Sequence, residues 1–171
     1  MDKLLVIGYG NTLRRDDGAG VALAARLVRC WQARGVPAQL LTVVQLTPEL
    51  STEIADGDVA AVFFVDTRAG KAGEPVQVQP LAAKTGTPGL GHQLEPTVLL
   101  AYARLFSGRE VPAWLLTVPG VDFGHGEGFS PDCEAALAAA PALVDELAAE
   151  LARWPGSLPP AVARTWSGGW A

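Results

Sequence analysis

The chain has 171 residues, 49% of them hydrophobic and 18% charged, which suits one domain with an ample core and excludes a disordered protein. Its net charge of −5 argues against a nucleic-acid partner. No signal peptide precedes the first predicted strand, and no apolar run approaches the roughly 20 residues of a membrane helix. We therefore expect a cytoplasmic protein without a membrane segment. Cys30 and Cys133 lack metal-binding spacing, and we expect both to be reduced.

The first predicted element is a short buried strand, Leu4–Ile7, followed by a glycine-rich loop. Gly8 and Gly10 permit a sharp turn, and the acids Asp16 and Asp17 follow within the loop. Beyond position 20, apolar residues recur at intervals of three and four, which predicts a helix. Two carboxylates therefore lie between a buried strand and a helix, at the end of an open α/β sheet where sites form.

Three interpretations of this loop compete. A dinucleotide-binding loop would share the pair Gly8 and Gly10, but Leu13 replaces the third glycine, and the acid expected after the second strand is missing. A purely structural role would place glycines for close packing and acids near a helix start, where the macrodipole favours them. A metal or catalytic site is the third interpretation, and it requires partners elsewhere in the chain.

Four further segments are predicted between the first helix and position 80. Ala38–Val44 is apolar enough for a second strand. A short helix follows, with Thr47 as its cap and Pro48 at its first position. Val59–Val65 is nearly all apolar, which is typical of a central strand covered on both faces. Pro75–Pro80 is a weak strand, and its prolines favour an edge of the sheet.

The second half of the chain continues the alternation. A helix is predicted to start near Pro96, and Trp114–Val118 is the next strand. Ser130 begins a last helix, which runs to about Trp154 and should be kinked or divided by Pro141. The helix at Pro96 is predicted to carry Val98, Leu99, Tyr102, Leu105 and Phe106.

Strands that alternate with helices predict an α/β fold with a mostly parallel sheet and helices on both faces. Its crossover connections should be right-handed. We expect a single domain over residues 1–154 and a C-terminal tail over residues 155–171, which has no periodic pattern.

Candidate chemistry beyond the first loop rests on three residues. Asp66 follows the most apolar strand; alone it would be an ordinary turn residue, and Arg68 excludes the Asp-Thr-Gly motif of aspartic proteases. His92 lies between the glycine-rich segment Lys84–Gly91 and a helix start. His125 lies in a second glycine-rich loop, where a solvated histidine is the more ordinary interpretation.

Together these residues favour a metal site. If the first and third strands are neighbours, Asp17 and Asp66 emerge at the same edge of the sheet, within reach of His92. Two carboxylates and an imidazole suit a divalent ion such as Ni²⁺, Zn²⁺ or Mn²⁺, with coordination positions left open. No thiolate is near, which argues against a structural zinc.

The same residues resemble a known family, the hydrogenase maturation endopeptidases. The segment Gly8–Gly20, which reads GYGNTLRRDDGAG, is similar to the family's N-terminal signature. Asp66 after the third strand resembles its second motif, and His92–Pro96 resembles its third. The match runs in order over roughly residues 4 to 150.

The resemblance implies a three-layer α/β/α sandwich with a twisted sheet, and removal of a C-terminal peptide from the large-subunit precursor of a nickel–iron hydrogenase. It also implies that Asp17, Asp66 and His92 are the catalytic residues and bind a metal. That metal is the nickel already loaded into the precursor, although another divalent ion is an alternative. Position 17 is Glu or Asp in the family, so this chain carries the shorter acid.

Two questions stay open at this point. The metal could be catalytic or could only mark the loaded precursor for recognition. The fold could also serve a non-catalytic regulatory module that binds a nucleotide or a partner, or a scaffold that has lost peptidase activity.

Overall fold

A computed structural model describes residues 2–85 and 94–153, in which five strands form one sheet in the order β2-β1-β3-β5-β4. The strands are β1 (Lys3–Tyr9), β2 (Ala38–Val43), β3 (Val59–Ala69), β4 (Gln77–Leu81) and β5 (Ala113–Gly120). β1, β2, β3 and β5 are parallel, whereas β4 runs antiparallel to β5 at the edge. The mostly parallel sheet, the central position of β3 and the edge position of β4 are therefore confirmed.

The helices cover both faces of this sheet. They are α1 (Ala19–Ala33), α2 (Leu50–Ala55), α3 (Pro96–Ser107), α4 (Pro131–Leu137) and α5 (Ala140–Ala152), and a short 3-10 helix (Arg15–Gly18) precedes α1. α1, α4 and α5 share one hydrophobic cluster with the sheet, and α2 and α3 share the other. The three-layer α/β/α sandwich is confirmed.

The centre of the core is an aromatic stack on the α1 side of β3. The ring of Phe63 lies 5.0 Å from that of Trp31 and 5.4 Å from that of Trp114. All residues of Val59–Val65 are buried, because β3 has strands on both sides and helices on both faces. Burial on both faces is the reason that the segment is apolar throughout rather than alternating.

The start of α2 differs from the prediction. The helix begins at Leu50, and Thr47 does not cap it. The main-chain amide of Leu50 donates to the Thr47 carbonyl at 3.2 Å, and that of Ser51 to the Pro48 carbonyl at 3.1 Å. Bonds of this i to i+3 type form a tight turn before the helix, so Thr47 and Pro48 lie in the turn.

The last turn of α3 is exposed. Leu105 and Phe106 belong to the helix as predicted, and they are 78% and 65% exposed. The buried residues of α3 are Val98, Leu99, Leu100 and Ala103, all of which precede its last turn. The predicted break near Pro141 is confirmed, because α4 ends at Leu137 and α5 begins at Ala140.

Among residues 2–85 and 94–153, no helix is both long enough and apolar enough to cross a membrane. Cys30 and Cys133 are free thiols. The predicted segment Lys84–Gly91 lies largely outside the described residues, and the predicted tail lies wholly outside them.

Candidate functional site

A cavity of about 570 Å³ lies at the carboxyl ends of β1, β2 and β3. β2 and β3 flank β1 on opposite sides, and the connections pass through α1 on one face and α2 on the other. The loops after β1 and β3 therefore separate, which is where open α/β sheets form sites. The cavity is lined by Tyr9, Gly10, Asn11, Arg14, Asp17, Val44, Gln45, Leu46, Asp66, Thr67 and Leu94.

Asp17 reaches this cavity because the loop after β1 folds back tightly on itself. Gly10 has a φ of 141°, and a Cβ atom there would lie 2.1 Å from the carbonyl oxygen of Asp17. The glycine is thus required by both backbone conformation and space. The main-chain amide of Asn11 donates to Asp17 Oδ2 at 3.0 Å, which fixes the carboxylate over the end of β1.

The sequence predicted that the third strand stops at Asp66, but Asp66 lies within β3, which runs to Ala69. β3 continues to Ala69 because it stays paired with β5, whereas its pairing with β1 stops at Val65. Asp66 is therefore the first residue of β3 that no longer has β1 beside it. The loss of that neighbour opens the cavity at the position of the carboxylate.

The Asp66 carboxylate is partly buried and held by two donors. The main-chain amide of Thr67 donates to its Oδ1 atom at 2.7 Å, and the Tyr9 hydroxyl also donates to it. Burial raises the pKa of Asp66 above its ordinary value, and the charge of Asp17 adds to the rise, while the two hydrogen bonds oppose it. A positive charge between the two acids would stabilise both of them.

Tyr9 shares this environment. Burial raises the pKa of its hydroxyl far above the ordinary value, and the charge and hydrogen bond of Asp66 raise it further. The hydroxyl therefore stays protonated and acts as a donor to the carboxylate.

Asp16 points away from the cavity and joins the first loop to the loop after β5. The amides of Val121 and Asp122 donate to its Oδ2 atom at 2.9 and 3.0 Å. Ser130 donates twice, from its amide at 2.8 Å and from its hydroxyl at 2.7 Å. Burial alone would raise the pKa of Asp16, but these hydrogen bonds outweigh it and hold the pKa below its ordinary value. Burial and the Asp16 charge raise the pKa of the Cys133 thiol to about 12.

Of the two histidines considered in the sequence analysis, the structure describes His125 but not His92. His92 lies outside the described residues, so its predicted approach to Asp17 and Asp66 stays a prediction. His125 is exposed and lies in the loop beyond β5. Within residues 2–85 and 94–153, no group of three or more His, Cys, Asp or Glu side chains could hold a metal ion. The described part of the site therefore offers two carboxylates.

Sequence reasoning missed Tyr9, although a signal for it was present. Side chains alternate along a strand, so Tyr9 shares the face of Ile7, and Asp66 shares the face of Phe64. Ile7 and Phe64 both belong to the cluster on the α2 and α3 side. Counting by twos along both strands would have brought the Tyr9 hydroxyl to Asp66.

Arg68, which excluded an aspartic-protease motif, has a structural role. Its Nη1 atom donates to the carbonyl of Thr117 at 2.8 Å, and its Nη2 atom contacts Glu74 Oε2 at 3.0 Å. The guanidinium thus holds β3 to β5 and to the connection that leads to β4.

No protein-family model and no curated protein matches the chain. Solved structures do match it. The [NiFe] hydrogenase maturation protease HycI from Thermococcus kodakarensis KOD1 is 24% identical with a TM-score of 0.60, over 88% of this chain and 93% of that one. The hydrogenase maturating endopeptidase HybD from E. coli is 21% identical with a TM-score of 0.58, over 88% and 92%.

A third match is the hydrogenase 2 maturation peptidase from a Thaumarchaeota archaeon, 23% identical with a TM-score of 0.53, over 85% of this chain and 97% of that one. All three alignments span nearly the whole of the matched chains. At these identities the likeness shows the fold, which is the α/β fold that the sequence predicted.

Proposed function

We propose that this chain is a hydrogenase maturation endopeptidase that removes the C-terminal peptide from a nickel-loaded large-subunit precursor of a [NiFe] hydrogenase. The observation that carries the proposal is the pairing of Asp17 and Asp66 in one cavity at the point where the strand order reverses. Three proteins that share the fold over most of its length are described as hydrogenase maturation proteases or peptidases. The signature Gly8–Gly20, which positions Asp17, resembles the same family.

The nickel belongs to the substrate in this proposal. Asp17 and Asp66 offer carboxylate oxygens, and His92 is proposed as the imidazole ligand. Two carboxylates in the described part of the site suit an ion that arrives with ligands of its own, held by the precursor. Burial raises the pKa of Asp66 and the Asp17 charge adds to the rise, and a cation beside the two carboxylates would offset both effects. Another divalent ion would satisfy the same donors.

The chain's own residues then hold the site in position. Tyr9 and Thr67 orient the Asp66 carboxylate, and Asn11 orients that of Asp17. When bound, the precursor's metal supplies positive charge between the two acids. Orientation by hydrogen-bonded neighbours matters because a site that is loose by about 1 Å loses much of its activity.

A regulatory module that binds a nucleotide is less well supported. A nucleotide phosphate in this cavity would face Asp17 and Asp66, and like charges repel.

The test is incubation of a nickel-loaded large-subunit precursor with the wild-type chain and its variants, followed by mass measurement of the precursor's C-terminus. The variants are Asp17→Asn, Asp66→Asn and His92→Ala, and the matched control is Asp132→Asn, an exposed acid on α4 outside the cavity. We expect wild type and the control to remove a C-terminal peptide, and the three site variants to lose at least about 100-fold in rate, as removal of a catalytic group does.

An intact precursor after incubation with wild type would contradict the proposed activity. Cleavage by Asp17→Asn and Asp66→Asn at the wild-type rate would contradict the proposed site.

A further inference from the structure

Two side chains with hydrogen-bond donors stand at the mouth of the carboxylate cavity. Arg14 is in the loop after β1 and Gln45 is in the loop after β2, and both line the cavity and are exposed. The two loops adjoin, because the amide of Gly10 donates to the carbonyl of Val43 at 3.2 Å. Within the part of the chain that the structure describes, neither side chain has a hydrogen bond or an ion pair.

The backbone of the first loop separates Arg14 from its neighbour Arg15. Arg15 has a φ of 47°, and among the described residues it is the one non-glycine residue with a positive φ. Its amide donates to the carbonyl of Gly126 at 3.0 Å, and its Nε atom lies 3.6 Å from Asp122 Oδ2. A strained residue persists where the surrounding structure fixes it, and such residues are concentrated at functional sites. In this backbone conformation Arg15 contacts the loop after β5, whereas Arg14 lines the cavity.

The hydrogen-bond donors at the mouth of the cavity and the carboxylates on its floor favour different chemical groups of a ligand. The floor carries Asp17 and Asp66, which as carboxylates only accept hydrogen bonds and repel anions. The mouth carries a guanidinium with five N–H groups and a side-chain amide with two. The part of a ligand that contacts the mouth should therefore carry hydrogen-bond acceptors without a negative charge, and the carbonyl groups of an extended peptide main chain meet both conditions.

We infer that Arg14 and Gln45 bind main-chain carbonyl oxygens of the substrate peptide as it enters the cavity. The inference rests on the proposed function, since the peptide is the C-terminal region of the precursor. It adds that recognition at the mouth depends on the substrate's backbone and tolerates changes of its side chains.

The exposure of both side chains decides which kinetic constant they affect. Groups that stabilise a transition state act in a water-excluded site, whereas exposed groups at a mouth contact bound substrate and transition state alike. Uniform binding of this kind lowers KM without raising kcat. Arg14 and Gln45 are therefore positioning and binding residues.

The experiment measures KM and kcat for cleavage of a nickel-loaded precursor by wild type, Arg14→Met, Arg14→Lys and Gln45→Ala. Arg104→Met, which removes an exposed arginine from α3, is the matched control. Because hydrogen bonds to charged groups are the stronger kind, we expect Arg14→Met to raise KM about tenfold with kcat within about twofold of wild type. Arg14→Lys should recover part of the loss, Gln45→Ala should raise KM by a smaller factor, and Arg104→Met should match wild type.

A second arm repeats the Arg14→Met comparison on precursors in which each side chain near the cleaved bond is replaced by alanine. The rise in KM should be the same on every precursor. An effect that disappears on one of them would mean that Arg14 contacts that side chain, which overturns the inference.

Three other outcomes would also overturn it. These are an unchanged KM in Arg14→Met and Gln45→Ala, a fall in kcat at constant KM, and an equal effect of Arg104→Met. A wild-type chain that neither binds nor cleaves the precursor would refute the proposed function itself, and the inference with it. Cleavage by wild type with no effect of the mouth variants would refute the inference alone.

Discussion

Asp16 and Asp17 are adjacent in sequence, but their carboxylates face different parts of the molecule. Asp17 lines the cavity, whereas Asp16 is buried and accepts hydrogen bonds from the loop after β5. The residue types alone do not show which of the two acids is structural. The amides that donate to Asp16 are more than 100 positions away in the sequence. Every residue except proline has a main-chain amide, so the residue types do not reveal these donors.

The pH dependence of stability should reveal Asp16. Its pKa in the folded chain lies below the ordinary 3.8, so its ionised form stabilises the fold above pH 3.8, and that contribution is lost as the pH falls through the folded value. Asp16→Asn should cost about 1–3 kcal/mol at pH 7, because charged hydrogen bonds are lost from a buried site. Urea unfolding at pH 7 and at pH values below 3.8 measures this.

The difference between wild type and Asp16→Asn should shrink at the lower pH, while Asp132→Asn should show little difference at either. A difference that is the same at both pH values would rule out an ionised Asp16 as the stabilising form.

Tyr9→Phe tests the orientation of Asp66. The variant removes the hydroxyl that donates to the carboxylate and keeps the ring, which packs against the cluster on the α2 and α3 side. We expect the free energy of unfolding to change by at most about 1 kcal/mol, and the cleavage rate to fall about tenfold. Tyr102→Phe, a partly buried tyrosine on α3, is the control and should leave the rate unchanged. Equal rates for Tyr9→Phe and wild type would show that the hydrogen bond is dispensable.

The elements of the fold could be predicted largely because a strand that is buried on both faces consists almost entirely of apolar residues. Val59–Val65 is such a run, and its central position followed from it. The end of β3 could not be predicted, because Asp66 to Ala69 remain in the strand through pairing with β5 and not through their own composition. The start of α2 was missed for a similar reason, since Thr47 and Pro48 suit a turn as well as a cap.

Phe63 and Phe106 are the same residue type in opposite environments, which allows a matched comparison. Phe63 is fully buried between two tryptophan rings, and Phe106 is 65% exposed at the end of α3. Phe63→Ala should lower the free energy of unfolding by about 3–5 kcal/mol, and Phe106→Ala by less than about 0.5 kcal/mol. Chemical denaturation of both variants measures the difference. Similar losses would contradict the placement of β3 at the centre of the core.

Ser130 links an element to the site. Its hydroxyl caps α4 by accepting from the Cys133 amide at 3.2 Å, and it also donates to Asp16. Ser130→Ala should cost about 1–2 kcal/mol, as the loss of a helix cap does. In a double-mutant cycle with Asp16→Asn the two losses should not add, because the residues share a hydrogen bond. If the two losses of stability add, the helix cap and Asp16 act independently, which would contradict the shared hydrogen bond.

At the scale of the whole molecule, the site follows from topology. The sequence placed Asp17 and Asp66 on different segments, and only the parallel pairing of β1 with β3 brings them to one edge. That pairing could be anticipated from the alternation of strands and helices, so two of the three predicted site residues could be located in advance. Tyr9 could have been added from the alternation of side chains along β1 and β3. Arg14 and Gln45 could not, since the loops that carry them have no periodic pattern.

The net charge of −5 and the carboxylate floor of the cavity bear on how the substrate is distinguished. Under the proposed function, a loaded precursor offers Asp17 and Asp66 a cation that an empty precursor lacks. Discrimination is a difference between two affinities, and here it would come from the repulsion between the acids as much as from their attraction for the metal.

The most direct measurement is the rate of C-terminal cleavage of nickel-loaded and nickel-free precursor by wild type and by Asp66→Asn. We expect wild type to cleave the loaded precursor at least about 100-fold faster than the empty one, and Asp66→Asn to cleave neither at an appreciable rate. Equal cleavage of loaded and empty precursor by wild type would contradict the claim that this pair of acids acts on the metal in the substrate.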